Sequence, residues 1–178
     1  MGLRIVGVAV LSSALLIAGE ARAQQSPPPQ HQSPLDVVPD KMPFDVPYGA
    51  PIALSRAQAV IAAAQAEALK HSWKMNISVV DSGGNLVAFA RMDGAQLASI
   101  AISEHKARVA ATYRRETKIF ENGVQGGNTY LLTLDGVIAS RGGIPLVEAG
   151  QLVGAIGCSG GTGSQDEVVA KAGAAVVK

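Results

Sequence analysis

The feature that most constrains this chain is residues 75–115, MNISVVDSGGNLVAFARMDGAQLASIAISEHKARVAATYRR, where one hydrophobic period gives way to another. Met75, Ile77 and Val79 alternate with Asn76 and Ser78, and after a D-S-G-G-N break residues 86–92 continue as a second apolar-rich segment. Period two on both sides of a glycine turn predicts a β-hairpin, with Gly83 and Gly84 supplying the positive φ that tight turns demand. Met92-Asp93-Gly94 ends the second strand. Residues 95–113 are rich in alanine and free of Pro and Gly, which predicts a long helix.

On a helix turning about 100° per residue, Glu104 and Arg108 share a face and are ordered for an ion pair, while Lys106 projects about 200° from Glu104. Glu104 and Lys106 therefore serve different neighbours. Ala98, Ile100, Ala101, Ile102, Ala107, Val109, Ala110 and Ala111 spread almost all round the wheel. Such a helix calls for cover on two sides, a sheet on one and another subunit on the other.

Ahead of the hairpin, Ser55 and Gln58 have the spacing of a capping box, and Ala57, Val60, Ile61, Ala64 and Ala68 then form one apolar stripe. His71, at the end of that helix, is placed to ligate a metal or simply to suit the helix C-terminus as a cation. Beyond the central helix, residues 114–125 read as irregular with a helical turn at 117–120, and residues 130–134 as a short strand or extended segment. Residues 137–140, 144–148 and 151–158 are strand candidates, the last two joined by a tight Ala149-Gly150 hairpin. Gly154 and Gly157 remove side chains from the final strand and so permit close approach. Gln165, Asp166 and Glu167 suit the start of a last helix.

The N-terminal fifty residues are of another kind. A short positive n-region, an apolar run over residues 5–18 and Ala21-Arg22-Ala23 predict a secretory signal over residues 1–23, cleaved after Ala23. The run is shorter than the roughly 18 residues a membrane-spanning helix needs, so no stable membrane insertion is expected after cleavage. Residues 24–51 hold eight of the nine prolines and form an arm or linker, with 24–33 expected to be disordered and 42–51 to lie extended on the domain or a neighbouring subunit. The folded domain is 52–178. Removing Arg4, Arg22 and Glu20 leaves thirteen basic and thirteen acidic side chains, a balance with no electrostatic footprint for nucleic acid. Cys158 is the only cysteine, which excludes an intramolecular disulfide.

The order VVDSGGNLVAFARMDGA, S-I-A-I-S-E-H-K-A, R-G-G-I-P-L, G-Q-L-V-G-A-I-G-C-S-G and Q-D-E resembles the GlcG/HbpS family, also called the haem-degrading domain family, over residues 52–178. The resemblance implies an α+β fold, an antiparallel sheet of about five strands flanked by helices, assembling into homo-oligomers. It also implies haem as cofactor, bound or broken down. The chain has no C-x-x-C-H, so haem would be held non-covalently, by an apolar slot, cations for its propionates and an axial side chain.

Arg91, at the end of the second strand, and Arg141, before Gly142-Gly143, have the planar fork that holds a carboxylate, although each is also placed to pair with Asp93, Glu148 or a subunit neighbour. Gly142 and Gly143 can offer backbone N–H groups to an anion, or simply turn the chain before an edge strand. His105 is the first-choice axial ligand, with a structural histidine as the plain alternative. Lys106 matches the lysine before alanine in the family's helix, and is otherwise a solvated charge. Besides an exported haem-binding protein, two readings stand: a small enzyme acting on an oxygenated organic acid, with Lys106, Glu104 or Asp81 moving a proton, and an oligomer without a ligand.

Overall fold

A computed structural model of the chain describes Gly2 and residues 37–177. The expected signal, 1–23, and the stretch 24–33 lie outside the described residues apart from Gly2. The chain divides into two units, Met1–Asp40 and Lys41–Lys178, and every helix and strand named below belongs to the second. No helix among the described residues is long and apolar enough to cross a membrane.

Helix α1, Leu54–Lys70, buries the expected stripe of Ala57, Val60, Ile61, Ala64 and Ala68. It begins one residue before Ser55, after Ala53, with no side-chain cap, so the expected capping box does not form. The hairpin follows as β1, Asn76–Asp81, and β2, Leu86–Arg91. Its turn is held by the Asp81 carboxylate, which accepts from the N–H of Gly83 at 2.8 Å and of Asn85 at 2.9 Å. Only one of the two turn glycines, Gly84 at φ 84°, takes the left-handed conformation.

The central helix is α2, Ser99–Thr112, and α3, Lys118–Gln125, leads to a short 3-10 helix at Thr129–Thr133 in place of the expected strand or extended segment. Strands β3, Gly143–Glu148, and β4, Gln151–Ser159, are joined through Ala149 and Gly150, both at positive φ, before α4, Gly163–Ala174. Helix α4 does have a capping box, between Thr162 and Gln165.

The four strands form one antiparallel sheet in the order β2-β1-β4-β3. The fold is α+β as expected, with four strands where about five were expected; the strand candidate at 137–140 forms no strand. Among the described residues no strand pairs beyond β3, where Pro145 lacks an N–H and the backbone groups of Gly143 bond to Thr117. Helices α1 and α4 pack on one face of the sheet, and α2 packs on the other over β1, β4 and β3.

The arm is part of this unit from Phe44 to Ile52. Leu152 is bonded on both sides of Tyr48, its N–H donating to Pro47 O at 2.8 Å and its carbonyl accepting from Gly49 N–H at 2.7 Å. Tyr48 Oη donates to Thr112 O at 2.7 Å, which caps the end of α2, and the Arg115 guanidinium lies 3.1 Å above the Phe44 ring.

Candidate functional site

Two separate regions hold the residues singled out in the sequence. The first is built where α1 ends and β2 ends. Ser72, at φ 58°, turns the chain so that Trp73 and Lys74 face the last residues of β2. His71 stacks on Trp73 with ring centroids 4.3 Å apart, and its Nε2 lies 3.2 Å from Glu67 Oε1. Leu69, Trp73 and Met92 form the apolar wall of a cleft of about 590 Å³, and Lys74, Arg91 and Asp93 form its charged rim. Arg91 is exposed, and neither it nor Lys74 makes an ion pair among the described residues. A second cleft of about 320 Å³ shares Ser72, Trp73 and Lys74 with the first and is otherwise lined by glycines and the side chains of Gln96 and Gln165.

The second region is a buried polar cluster at the start of α4. Lys106 is 1 % exposed and runs inward from α2, donating to Asp166 Oδ2 at 2.7 Å and to Cys158 O at 3.2 Å. It is therefore not a solvated helix charge. Burial pushes the Asp166 carboxyl up, against the pull of Lys106. The Cys158 thiol is also pushed well up by burial, which keeps it protonated and inert.

Gly142, at φ 116°, brings the backbone onto this pair: a Cβ there would fall 2.8 Å from both Asp166 Cβ and Cys158 O. The N–H of Gly143 donates to Thr117 Oγ1 at 2.9 Å, so it is not offered to an anion. Arg141 gives its backbone N–H and its Nε to the two oxygens of Glu121, at 2.7 and 2.8 Å, and Glu167 lies 3.5 Å from its Nη1. The structure thus gathers Lys106, Arg141, Gly142 and Gly143, with both cations already matched by carboxylates.

His105 belongs to neither region. It sits half-buried on the outer side of α2, with Nε2 2.7 Å from Gly136 O, and lines neither cleft. The expected Glu104–Arg108 pair is absent among the described residues; Arg108 Nε instead donates to Gly84 O at 3.4 Å. Asp81 is occupied in its turn. The three candidate proton carriers, Lys106, Glu104 and Asp81, are therefore not assembled around one opening.

Two further signals stand in the sequence, one legible only in the folded chain and one written plainly in it. Trp73, Lys74 and Met92 flank the hairpin as the aromatic, cationic and thioether groups that line a cleft with Arg91. Residues 157–161, G-C-S-G-G, spell the G-x-S-x-G of a nucleophile elbow. Ser159 is buried, however, and its Oγ donates to Ser99 Oγ at 3.1 Å, with no histidine among its partners.

A single layer of antiparallel strands between α1/α4 and α2 is shared by known proteins. The family model for the haem-degrading protein HbpS-like matches residues 52–175, and the chain belongs to that family. It is 49 % identical to Protein GlcG of Escherichia coli (strain K12) over 103 residues, 58 % of this chain and 77 % of that one. Among solved structures it is similar to a double mutant of Streptomyces reticuli HbpS, with TM-score 0.68 and 27 % identity over 80 % of this chain and 97 % of that one. It is similar also to the PduOC:haem complex, with TM-score 0.66 and 26 % identity over 72 % of this chain and 96 % of that one.

Proposed function

We propose that this chain is an exported, homo-oligomeric haem-binding protein that takes haem non-covalently in the cleft between α1 and the end of β2. The observation that carries the reading is the make-up of that cleft. Its volume, about 590 Å³, is that of a small-molecule site, and an apolar wall beside unpaired cations is what a flat apolar ring with two carboxylates requires. Family membership and the likeness to a haem complex support the choice of ligand. Export rests on the n-region, apolar run and Ala21-Arg22-Ala23 order.

The residues present fit the group. Trp73 and Leu69 would exclude water from one face, Arg91 and Lys74 would hold the propionates by charge-assisted hydrogen bonds, and Met92 is the soft side chain within the cleft. Haem, when bound, supplies a redox-active iron whose behaviour its axial ligand sets. Having its ring nitrogen engaged on Gly136 O outside the cleft, His105 is not needed for this placement.

The test is haemin titration of the mature protein, purified after export and checked by N-terminal sequencing to begin at Gln24. A defined stoichiometry is expected, with Arg91→Ala weakening affinity on the order of tenfold and leaving the spectrum unchanged, as loss of one charge-assisted bond implies. His105→Ala should change neither. Absorbance that never saturates would remove the haem reading, a shifted Soret band in His105→Ala would move the site to α2, and an intact Met1 on cytoplasmic protein would remove export.

A further inference from the structure

The two edges of the sheet are treated differently. Along the first half of β3 the outward backbone groups of Gly143 are bonded to Thr117, and Pro145 has no N–H to offer. On β2, the N–H of Met92 donates inward to Met75 O, so by alternation residues 88 and 90 face β1 and Phe89 and Arg91 face outward, while Val87 is the extra residue of a β-bulge where the register passes from Val79–Ala88 to Val80–Leu86. Neither of these two residues has an outward backbone partner among the described residues. The strand reads LVAFAR; of the devices that keep edges single it has the bulge at Val87 and the charge of Arg91, but no proline and no lysine, and the stretch around Phe89 stays open.

The side chains of this edge are also uncovered. Phe89 pairs with Ser78, whose hydroxyl reaches α2, so Phe89 lies on the α2 side of the sheet. Helix α2 covers β1, β4 and β3 but not β2, which leaves Phe89 36 % and Leu86 49 % exposed. Opposite charges sit at the two ends of the hairpin, Arg91 at its open end and Asp81 in its turn.

From these features we infer that the free edge of β2 pairs with β2 of a second copy, antiparallel about a two-fold axis at Phe89. Only an even register keeps like faces together, and centring on Phe89 sets its outward N–H and C=O against the same groups of the second copy. Arg91 then lies beside the second copy's bulge at Val87, on the way to the anionic turn that precedes that strand, so the charges complement each other under the same symmetry. The pairing joins two four-stranded sheets into one and covers the apolar strip. It rests on the homo-oligomer part of the proposed function.

Because Cys158 is buried and is the only native thiol, Phe89→Cys adds a single reactive group. Directly opposed residues of a hydrogen-bonded pair have Cα atoms about 5.5 Å apart, within the range of roughly 4.4–6.8 Å that a disulfide spans. Mild oxidation of the full mature protein should convert most of Phe89→Cys to a covalent species of twice the chain mass. Val168→Cys, exposed on α4, should stay single. Phe89→Lys should fold, by circular dichroism, and lower the particle mass by light scattering at least twofold. An assembled wild type whose Phe89→Cys fails to cross-link, or whose Phe89→Lys keeps the full mass, overturns this interface while leaving the oligomer intact. A monomeric wild type overturns both.

Discussion

On the face of the sheet turned to α1 and α4, the cross-strand pairs of the two central strands are Ile77 with Cys158 and Val79 with Ile156; on the face turned to α2 they are Asn76 with Ser159, Ser78 with Gly157 and Val80 with Ala155. The first face is stabilised by area, each fully buried Ile or Val contributing about 1.5–3 kcal/mol. The second buries little area per residue and gains instead from closeness. Ser99, Ser103, Ala107, Ala110 and Ala111 let the α2 backbone come down onto the strands, and serine hydroxyls find one another there. A face built on area tolerates loss of atoms badly, whereas a face built on closeness does not tolerate their gain. The closeness also determines where Lys106 goes, because a helix held so near the sheet sends that side chain along β4 to Asp166.

Neighbouring positions on β4 give the sharpest contrast. A Cβ on Gly157 would fall against the carbonyl oxygen of Ser103 and the nitrogen of Ala107, both backbone atoms that cannot swing aside. Gly157→Val is therefore expected to cost about 4 kcal/mol or more, or to prevent folding, whereas Ile156→Val on the other face should cost about 0.5–1.5 kcal/mol. Urea unfolding of both variants checks this. A Gly157→Val protein as stable as Ile156→Val would mean that α2 is not held by close approach.

The next largest effect comes from the ion pair that this closeness buries. Lys106→Met leaves Asp166 buried without its counter-charge and should cost about 3–5 kcal/mol near neutral pH. Burial already raises the Asp166 carboxyl, and losing Lys106 removes the influence that lowers it. A carboxyl with a folded pKa above its unfolded value makes the folded state bind more protons, so stability falls as pH rises through that window. The deficit of Lys106→Met relative to wild type should accordingly shrink between pH 7 and pH 5 in paired urea titrations. A constant deficit would contradict a charged Asp166 as its source.

The area-based face is legible in the sequence because its signal is periodic: Ile77 and Val79 alternate, and the α1 stripe recurs at helical spacing. The closeness-based face carries no such signal, and the pattern of α2, apolar nearly all round, asks for two covers without saying which side meets the sheet. One clue is present. Lys106 shares its side of the helix with Ser99, Ser103 and Ala110, the smallest side chains available, and a lone cation in such a stripe points inward. The capping-box spacing at Ser55 yields no cap because the extended residue before α1 is Ala53, which has no side-chain acceptor, while the box forms at Thr162 and Gln165, where the extended residue carries a hydroxyl. The partners of Arg141 are beyond sequence reasoning because Glu121 and Glu167 come from different helices. The cleft is half visible: Arg91 stands out at its strand end, but the wall joins Leu69 of α1 to Met92 beyond β2, and only the folded hairpin makes them neighbours.

The smallest expected effect tests whether the hydroxyls on the α2 face have a direction. Ser103 donates its proton to Ile100 O at 2.8 Å, so the 2.8 Å contact between Ser78 and Ser103 must use the proton of Ser78. Ser78→Ala then removes a donor and leaves Ser103 still bonded, which should cost about 1 kcal/mol or less. Ser103→Ala removes the acceptor and leaves a buried donor on Ser78 with nothing to bond, at about 1–3 kcal/mol. The double variant has no orphaned group and should be more stable than Ser103→Ala alone. Equilibrium unfolding of the three proteins reads the order directly: if Ser78→Ala costs more than Ser103→Ala, the proton runs the other way and Ser103 is not bonded to the helix carbonyl.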